Sequence, residues 1–194
     1  MHRRRLLALG LAALATPSLA APRPYRLGGA GATITYTFTL NGNPVTGTVP
    51  VDSANLRIDP SDLVASTADV TADVRRARTG FVFATEALKS ASVLDARAFP
   101  LARFQSTAVR LGAGGRISDG ATVDGLLTLR GQTRPVRFAA DIFRPRGSAP
   151  DDFSALTVAL KGAVNRNDFG ASGYADLVED RVGIDINAEI VAAS

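Results

Sequence analysis

Strict alternation of apolar and polar residues recurs along this chain and constrains its fold more than any other feature. Residues 33–40 alternate for eight positions, and the pattern returns at 45–51 and again at 182–190. Such alternation is typical of a β-strand with one buried and one solvated face. Each strand therefore needs neighbours that cover its apolar face, and the chain as a whole is predicted to be all-β.

The clearest hairpin is predicted around Gly131. Leu127 and Leu129 share one face of the strand before the turn, and Val136 and Phe138 share one face of the strand after it. Gly131 is the residue that most easily adopts the positive φ of a tight hairpin. One face of this hairpin is apolar and the other is basic, so further strands must cover the apolar face.

Seven to nine closely spaced strands are predicted in all, together with one short helical segment near 79–95, where apolar residues recur at helical spacing. About eight antiparallel strands can close into a barrel with room for one small ligand. A two-sheet sandwich with a filled core is the alternative, and periodicity does not separate the two. The clearer strands lie at 33–40, 45–51, 63–74, 103–109, 121–130, 133–143, 153–164 and 182–190.

The first twenty residues have the features of an export signal. Arginines at 3–5 precede an apolar run at 6–15 that is too short to cross a bilayer. Pro17 and the small residues that follow it predict cleavage after Ala20, which leaves one domain at 21–194. We therefore predict a periplasmic protein with no membrane span. The arginine pair leaves the general secretory and twin-arginine routes both open.

Charge argues against a nucleic-acid partner. The chain has 22 basic and 18 acidic residues, and three of the basic ones lie in the predicted leader, so the mature chain carries 19 − 18 = +1. No cluster of lysine and arginine interleaved with aromatic residues occurs, as a nucleic-acid surface would require.

The mature chain is predicted to lack both cysteine and histidine, because cysteine is absent and the single histidine is His2. This excludes disulfides, a cysteine nucleophile, a Ser-His-Asp triad and histidine-ligated zinc or haem. The acidic pairs at 151–152 and 179–180 do not have calcium-loop spacing. We therefore predict no metal site and no cofactor. An enzyme would need a lysine, tyrosine or carboxylate mechanism, and because no convergent pair of such residues is visible we rank this hypothesis last and predict a protein that is not an enzyme.

Three motifs, taken in order, resemble the YceI-like family of exported, lipocalin-like bacterial proteins. They are the hairpin turn at 127–136, the Asn-Arg-Asn-Asp-Phe-Gly turn at 165–170 and the segment at 99–107 that contains Phe-Pro and Phe-Gln-Ser-Thr. The chain departs from the family at 28–32, where many members carry Asp-Pro-x-His-Ser, and at 84–85, where Arg-Asp is common. The chain is therefore identified as a divergent member.

The resemblance implies an extended antiparallel barrel that holds a long amphiphile, such as a polyisoprenoid or a fatty amide, and performs no catalysis. The alternative is an envelope protein with a filled core that acts through its surface. The partner expected is a lipid-like small molecule, and a homodimer is allowed. The candidate ligand-binding residues are Tyr36, Phe38, Val49, Phe81, Leu88, Phe104, Leu127, Leu129, Val136, Phe138, Phe169, Ile184 and Ile186.

Two groups of polar residues admit a functional and a structural interpretation. Asp168 with Arg166 is either an acid–base or headgroup site, or a turn whose side chains bond the local backbone, and we favour the turn. Arg130, Arg134 and Arg137 either hold a phosphate headgroup or form a solvated strand face that protects an edge, and we favour the solvated face.

Overall fold

The computed structural model describes residues 21–29, 32–115 and 120–193; the predicted leader at 1–20 lies outside the described residues. This part of the chain contains ten strands and one short α-helix. They are β1 (Arg23–Leu27), β2 (Thr33–Leu40), β3 (Asn43–Ile58), β4 (Thr67–Asp73), β5 (Arg78–Thr79), α1 (Val82–Lys89), β6 (Leu101–Arg110), β7 (Ala121–Leu129), β8 (Gln132–Phe143), β9 (Ala155–Asn165) and β10 (Arg181–Ala192).

Eight antiparallel strands close into a barrel, in the order β10-β2-β3-β4-β6-β7-β8-β9 and back to β10. The closing pair is the most extensive, because β9 and β10 stay in register from Asn165↔Arg181 to Ala155↔Val191. The predicted barrel is thus confirmed and the sandwich is wrong. The predicted helix is confirmed as well, since α1 lies inside the segment 79–95.

Strands β1 and β2 both lie between β10 and β3, one after the other along the length of those two strands. Tyr25 pairs with Ala192 on one side and with Leu56 on the other, just as β2 pairs with the same two strands further along. Beside this position β3 changes register between Val51 and Ser53. The two short strands together therefore supply one wall position of the barrel.

Two tight hairpins turn at the same end of the barrel. Asn41 and Gly42 join β2 to β3, and Arg130 and Gly131 join β7 to β8; all four residues have positive φ, between 49° and 74°. Two successive positive φ angles define the type I′ turn, whose twist matches that of the flanking strands. Pro135 lies in the part of β8 that is not in register with β9, as a residue without a backbone donor requires.

The opposite end of the barrel is closed by a solid core. Five residues that are 8% exposed or less pack there, and the Tyr25 hydroxyl donates a 2.7 Å hydrogen bond to the carbonyl of Phe153. The five residues of this core are Tyr25, Leu56, Ile58, Leu156 and Ile190.

No helix among the described residues has the length and apolarity that a membrane span needs.

Candidate functional site

The barrel encloses a cavity of about 930 Å³ that runs from the closed end to the end that carries α1. The filled core considered above is therefore wrong. At the roughly 30 Å³ that one water-sized group occupies in a liquid, this volume corresponds to about 30 such groups. Among the described residues that line it, Glu86 and Arg166 are the only charged ones, and the rest of the wall is almost wholly apolar.

The interior stays hollow because inward-facing glycines accommodate aromatic rings. Gly47 lies directly opposite Tyr36 in the β2–β3 ladder, and a Cβ on Gly47 would overlap the Tyr36 ring. A Cβ on Gly162 would come within 2.6 Å of Phe138 Cδ1. Each ring therefore lies against its neighbour's backbone instead of projecting across the lumen.

Two inward-facing hydroxyls, those of Tyr36 and Ser106, are engaged in structural hydrogen bonds. The Tyr36 hydroxyl donates to the carbonyl of Arg78 at 2.9 Å, and burial raises the pKa of Tyr36 well above its ordinary value. The Ser106 hydroxyl accepts a 2.8 Å hydrogen bond from the amide of Ala68. Neither group is poised as a base or a nucleophile.

The cavity opens between α1 and the segment 171–178. Phe83, Tyr174 and Leu177 line the cavity and are themselves exposed, which defines them as the rim of the mouth. The two sides of the mouth are joined where the amide of Gly173 donates to the carbonyl of Ser92 at 2.8 Å. Tyr174 has φ of 59°, a left-handed conformation that is costly for a bulky residue, so the surrounding contacts must hold it in place.

Arg166 holds the mouth segment in position. Its guanidinium is buried and donates to the carbonyls of Ala171 at 2.7 Å and Gly173 at 2.6 Å, and also to those of Val178 and Glu179. With these donors occupied, Arg166 has little capacity left for a ligand. The side-chain bond to local backbone that was predicted for this turn is made by Asn165, whose Oδ1 accepts a 2.9 Å hydrogen bond from the amide of Asn167.

The three hairpin arginines do not share one role. Arg137 fits the predicted solvated face, where it and Arg110 donate to Asp124 at 2.5 and 2.8 Å. These bonds, that of Arg137 first, lower the pKa of Asp124 to about 2. Arg134 is exposed and bonds only the carbonyl of the preceding residue.

Arg130 is a correction to the predicted solvated face. It reaches across the mouth and donates to the carbonyls of Gly170 and Ala91, each at 2.7 Å. A residue in a hairpin turn does not follow the alternation of the flanking strands, so the sequence pattern could not predict where its side chain lies.

Ten of the thirteen candidate ligand-binding residues line the cavity and three do not. Phe81 precedes α1 on the outside of the rim, and Phe169, 1% exposed, is enclosed in the turn after β9. Val136 is half-buried on β8 and is not part of the lining. The ten are Tyr36, Phe38, Val49, Leu88, Phe104, Leu127, Leu129, Phe138, Ile184 and Ile186.

Sequence reasoning missed two kinds of lining residue. Ile34 shares one face of β2 with Tyr36 and Phe38, so strand alternation could have identified it. Val70 and Leu160 lie on β4 and β9, two strands on which no candidate was chosen. Tyr174 and Leu177 belong to a segment without periodicity, and no sequence signal marked them.

Together the fold and the cavity define a closed, eight-stranded antiparallel barrel with one deep apolar interior, the lipocalin-like class of architecture. The chain belongs to the YceI family: the model described as "YceI-like domain" matches residues 25–190. A UPF0312 protein of Vibrio cholerae serotype O1 is 27% identical over 186 residues, covering 90% of this chain and 95% of the relative.

Solved structures share the fold. BcnA of Burkholderia cenocepacia has a TM-score of 0.68 at 21% identity, covering 81% of this chain and 95% of that one. A polyisoprenoid binding domain from Saccharophagus degradans, implicated in plant cell wall breakdown, has a TM-score of 0.63 at 12% identity, with coverages of 88% and 99%. The YceI protein of Campylobacter jejuni has a TM-score of 0.61 at 16% identity, and each chain is covered completely.

Proposed function

We propose that this protein binds a long-chain amphiphile, such as a polyisoprenoid or a fatty-amide-like lipid, inside the barrel and does not transform it chemically. The observation that carries the proposal is the apolar cavity of about 930 Å³ whose mouth lies between α1 and the 171–178 segment. The likeness to the polyisoprenoid binding domain of S. degradans supports a ligand of this class.

The size of the cavity favours a long ligand over a short one. Burial of one CH₂ group contributes about 0.8 kcal/mol, so a ten-carbon chain gains roughly 8 kcal/mol. Association costs of about 4–15 kcal/mol can cancel that gain. A chain of some twenty carbons gains roughly 16 kcal/mol, and a cavity equivalent to about 30 water-sized groups can accommodate it.

The position of the polar groups sets the direction in which the ligand enters. The deep part of the cavity ends at the closed core, where Leu56, Ile58 and Ile190 form the wall, while Glu86 and Tyr174 lie at the mouth. An amphiphile therefore places its chain in the barrel and its polar head between α1 and the 171–178 segment.

The cavity offers little to catalysis. The phenol of Tyr36 is kept protonated by burial, and Arg166 is engaged by backbone carbonyls. Storage or transport of the ligand is the role that remains, and the chain is proposed to perform it in the periplasm after export. Intact-mass measurement on the protein from an exporting host should give a chain that begins at Ala21.

Native mass spectrometry of gently purified protein, followed by extraction and mass identification of the released molecule, tests the binding proposal. Ala72 lines the cavity, so Ala72→Phe should obstruct the lumen and weaken the adduct. Ala139 lies on an outward-facing, exposed position of β8, and Ala139→Phe is the matched control that should retain the adduct. A bare chain mass in wild-type protein, with no uptake of added long-chain isoprenoid, would refute the proposal.

A further inference from the structure

An exposed apolar cluster lies at the mouth of the cavity, at the start of α1. Val82 is 79% exposed and Phe83 is 92% exposed, and Phe81 before them is exposed too. Single exposed apolar side chains are ordinary, but consecutive large ones that remain uncovered mark a surface that contacts something apolar. Because Phe83 also lines the cavity, this surface is continuous with the interior.

The cluster is presented by ordered backbone. The Thr79 hydroxyl accepts a 3.2 Å hydrogen bond from the amide of Phe81, and the Thr85 hydroxyl accepts one of 2.9 Å from the amide of Thr79. The amide of Thr85 in turn donates to the carbonyl of Phe81 at 3.0 Å. The aromatic side chains are therefore held outward by a hydrogen-bonded cap, not by a frayed helix end.

Basic residues precede the cluster. Arg76 and Arg78 are exposed, and neither forms an ion pair within the described ranges, whereas the neighbouring Arg75 is paired with Asp73 at 2.9 Å. We call residues 76–83 the basic lip. Two unpaired arginines next to exposed aromatic residues match an anionic lipid surface, which attracts cations and accepts apolar side chains below its headgroups.

The other side of the mouth has the opposite charge. Asp176, Glu179 and Asp180 are exposed around the 171–178 segment, and only Asp180 lies near a cation, 3.8 Å from Arg166. An anionic surface repels these carboxylates. The barrel must therefore approach such a surface tilted, with the basic lip in contact and the acidic segment turned away.

We propose that the basic lip docks on the surface of an anionic phospholipid bilayer and places the mouth of the cavity against the membrane. The purpose of docking rests on the proposed function: it would let the lipid pass from the membrane to the barrel without crossing water. Each CH₂ group that has to cross water lowers the rate of transfer about fourfold. Vesicle binding is nevertheless measurable without any ligand in the barrel.

The absence of tryptophan from the chain permits a direct test. Phe83→Trp creates a single fluorescent reporter on the basic lip, and Phe143→Trp creates one at an exposed phenylalanine near the closed end. With vesicles of phosphatidylcholine and phosphatidylglycerol, the first emission should move to shorter wavelength and be quenched by brominated lipid. The second should stay unchanged.

Partitioning to the same vesicles, measured by flotation, should depend on both parts of the lip. Phe83→Ser should weaken it by roughly ten- to a hundredfold. The double variant Arg76→Gln/Arg78→Gln should weaken it by about thirtyfold and remove its salt dependence. Phe143→Ser, the matched control at the closed end, should partition as the wild-type protein does.

Delipidated protein and the Ala72→Phe variant separate this proposal from the proposed function. If both partition normally while the wild-type protein takes up no lipid, the docking surface stands and the binding proposal fails. If lipid is bound but vesicles leave the Phe83→Trp emission unchanged, docking is overturned. A dimeric mass in solution that Phe83→Ser converts to a monomer, without vesicle binding, would assign the lip to a second copy of the chain and also overturn it.

Discussion

Arg130 in the β7–β8 turn donates a 2.7 Å hydrogen bond from Nη1 to the carbonyl of Gly170, in the turn that follows β9. Its Nη2 donates to the carbonyl of Ala91, after α1, also at 2.7 Å. One guanidinium thus joins three separate segments at the mouth of the cavity. The hairpin turn that resembles the family motif therefore contributes to the site through its turn residue as well as through its inner face.

Removal of this junction should destabilise the protein. Hydrogen bonds from a charged group contribute about 1.5–3 kcal/mol each, and Arg130 makes two of them. Because the side chain is partly exposed, we expect less than the full sum of the two: Arg130→Ala should lower the free energy of unfolding by roughly 2–3 kcal/mol in urea titrations. Arg134→Ala, two residues into β8, removes an exposed guanidinium that bonds only the carbonyl of Thr133 and should change stability little. Equal effects of the two variants would contradict this role for Arg130.

Arg166 should matter more, because its guanidinium is buried. Arg166→Met leaves the carbonyls of Ala171 and Gly173, among others, without their donors, and unpaired buried groups cost about 1–3 kcal/mol each. We expect a loss of about 3–5 kcal/mol.

Hydrogen exchange locates the effect of Arg166→Met. Amides at 171–180 should exchange faster than in the wild-type protein, while the β9–β10 ladder keeps its protection. Arg181→Met, at the exposed first position of β10, is the control. Uniformly faster exchange over the whole barrel would show that Arg166 supports the fold in general and not the mouth in particular.

The barrel was predictable from sequence because its determinants are local. Alternation at Thr33–Leu40 gives the strand and its buried face, and Asn41–Gly42 gives the turn that fixes the register with β3. The same parity places Phe104 and Phe138 in the wall, where their rings meet edge to face with centroids 5.5 Å apart. Alternation along the strands therefore placed most of the thirteen candidate residues on the cavity wall.

The mouth was not predictable, because backbone acceptors organise it. Arg130 and Arg166 bind carbonyl oxygens, which every residue carries, so no sequence pattern identifies the partners. The alternation of side chains between two faces also applies only within a strand. Phe169, whose ring is enclosed in a turn, and Phe81, which lies just before a helix, are candidates that do not line the cavity.

The glycines that accommodate the aromatic rings should control the free volume of the cavity. In Gly162→Ala the new Cβ would lie 2.6 Å from Phe138 Cδ1 and 2.9 Å from the carbonyl of Arg137, so the ring must move into the lumen. We expect a loss of about 1–3 kcal/mol in stability, as in other overpacked cores, together with weaker uptake of long-chain lipid in native mass spectrometry.

Gly183 on β10 provides a matched control for Gly162. It faces outward, and a Cβ there would meet its nearest neighbour, the carbonyl of Thr37, at 3.7 Å, an ordinary contact. Gly183→Ala should therefore leave stability within about 0.5 kcal/mol of the wild-type value and lipid uptake unchanged. If Gly162→Ala behaves in the same way, the ring-on-glycine arrangement does not keep the cavity open.

Asp124 should make stability depend on pH below about 4. Its carboxylate accepts hydrogen bonds from Arg137 and Arg110, which lower its pKa from 3.8 to about 2 in the folded protein. The unfolded chain therefore binds more protons than the folded one between these values, so the contribution is complete above about pH 4 and is lost as pH falls toward 2. Urea midpoints of Asp124→Asn should be lower than those of the wild type at pH 7 and should converge with them near pH 2. Asp141 is an exposed residue of β8, so Asp141→Asn serves as the control and should follow the wild-type curve. If the urea midpoints of Asp124→Asn and of the wild type differ by the same amount from pH 7 to pH 2, the linkage is refuted.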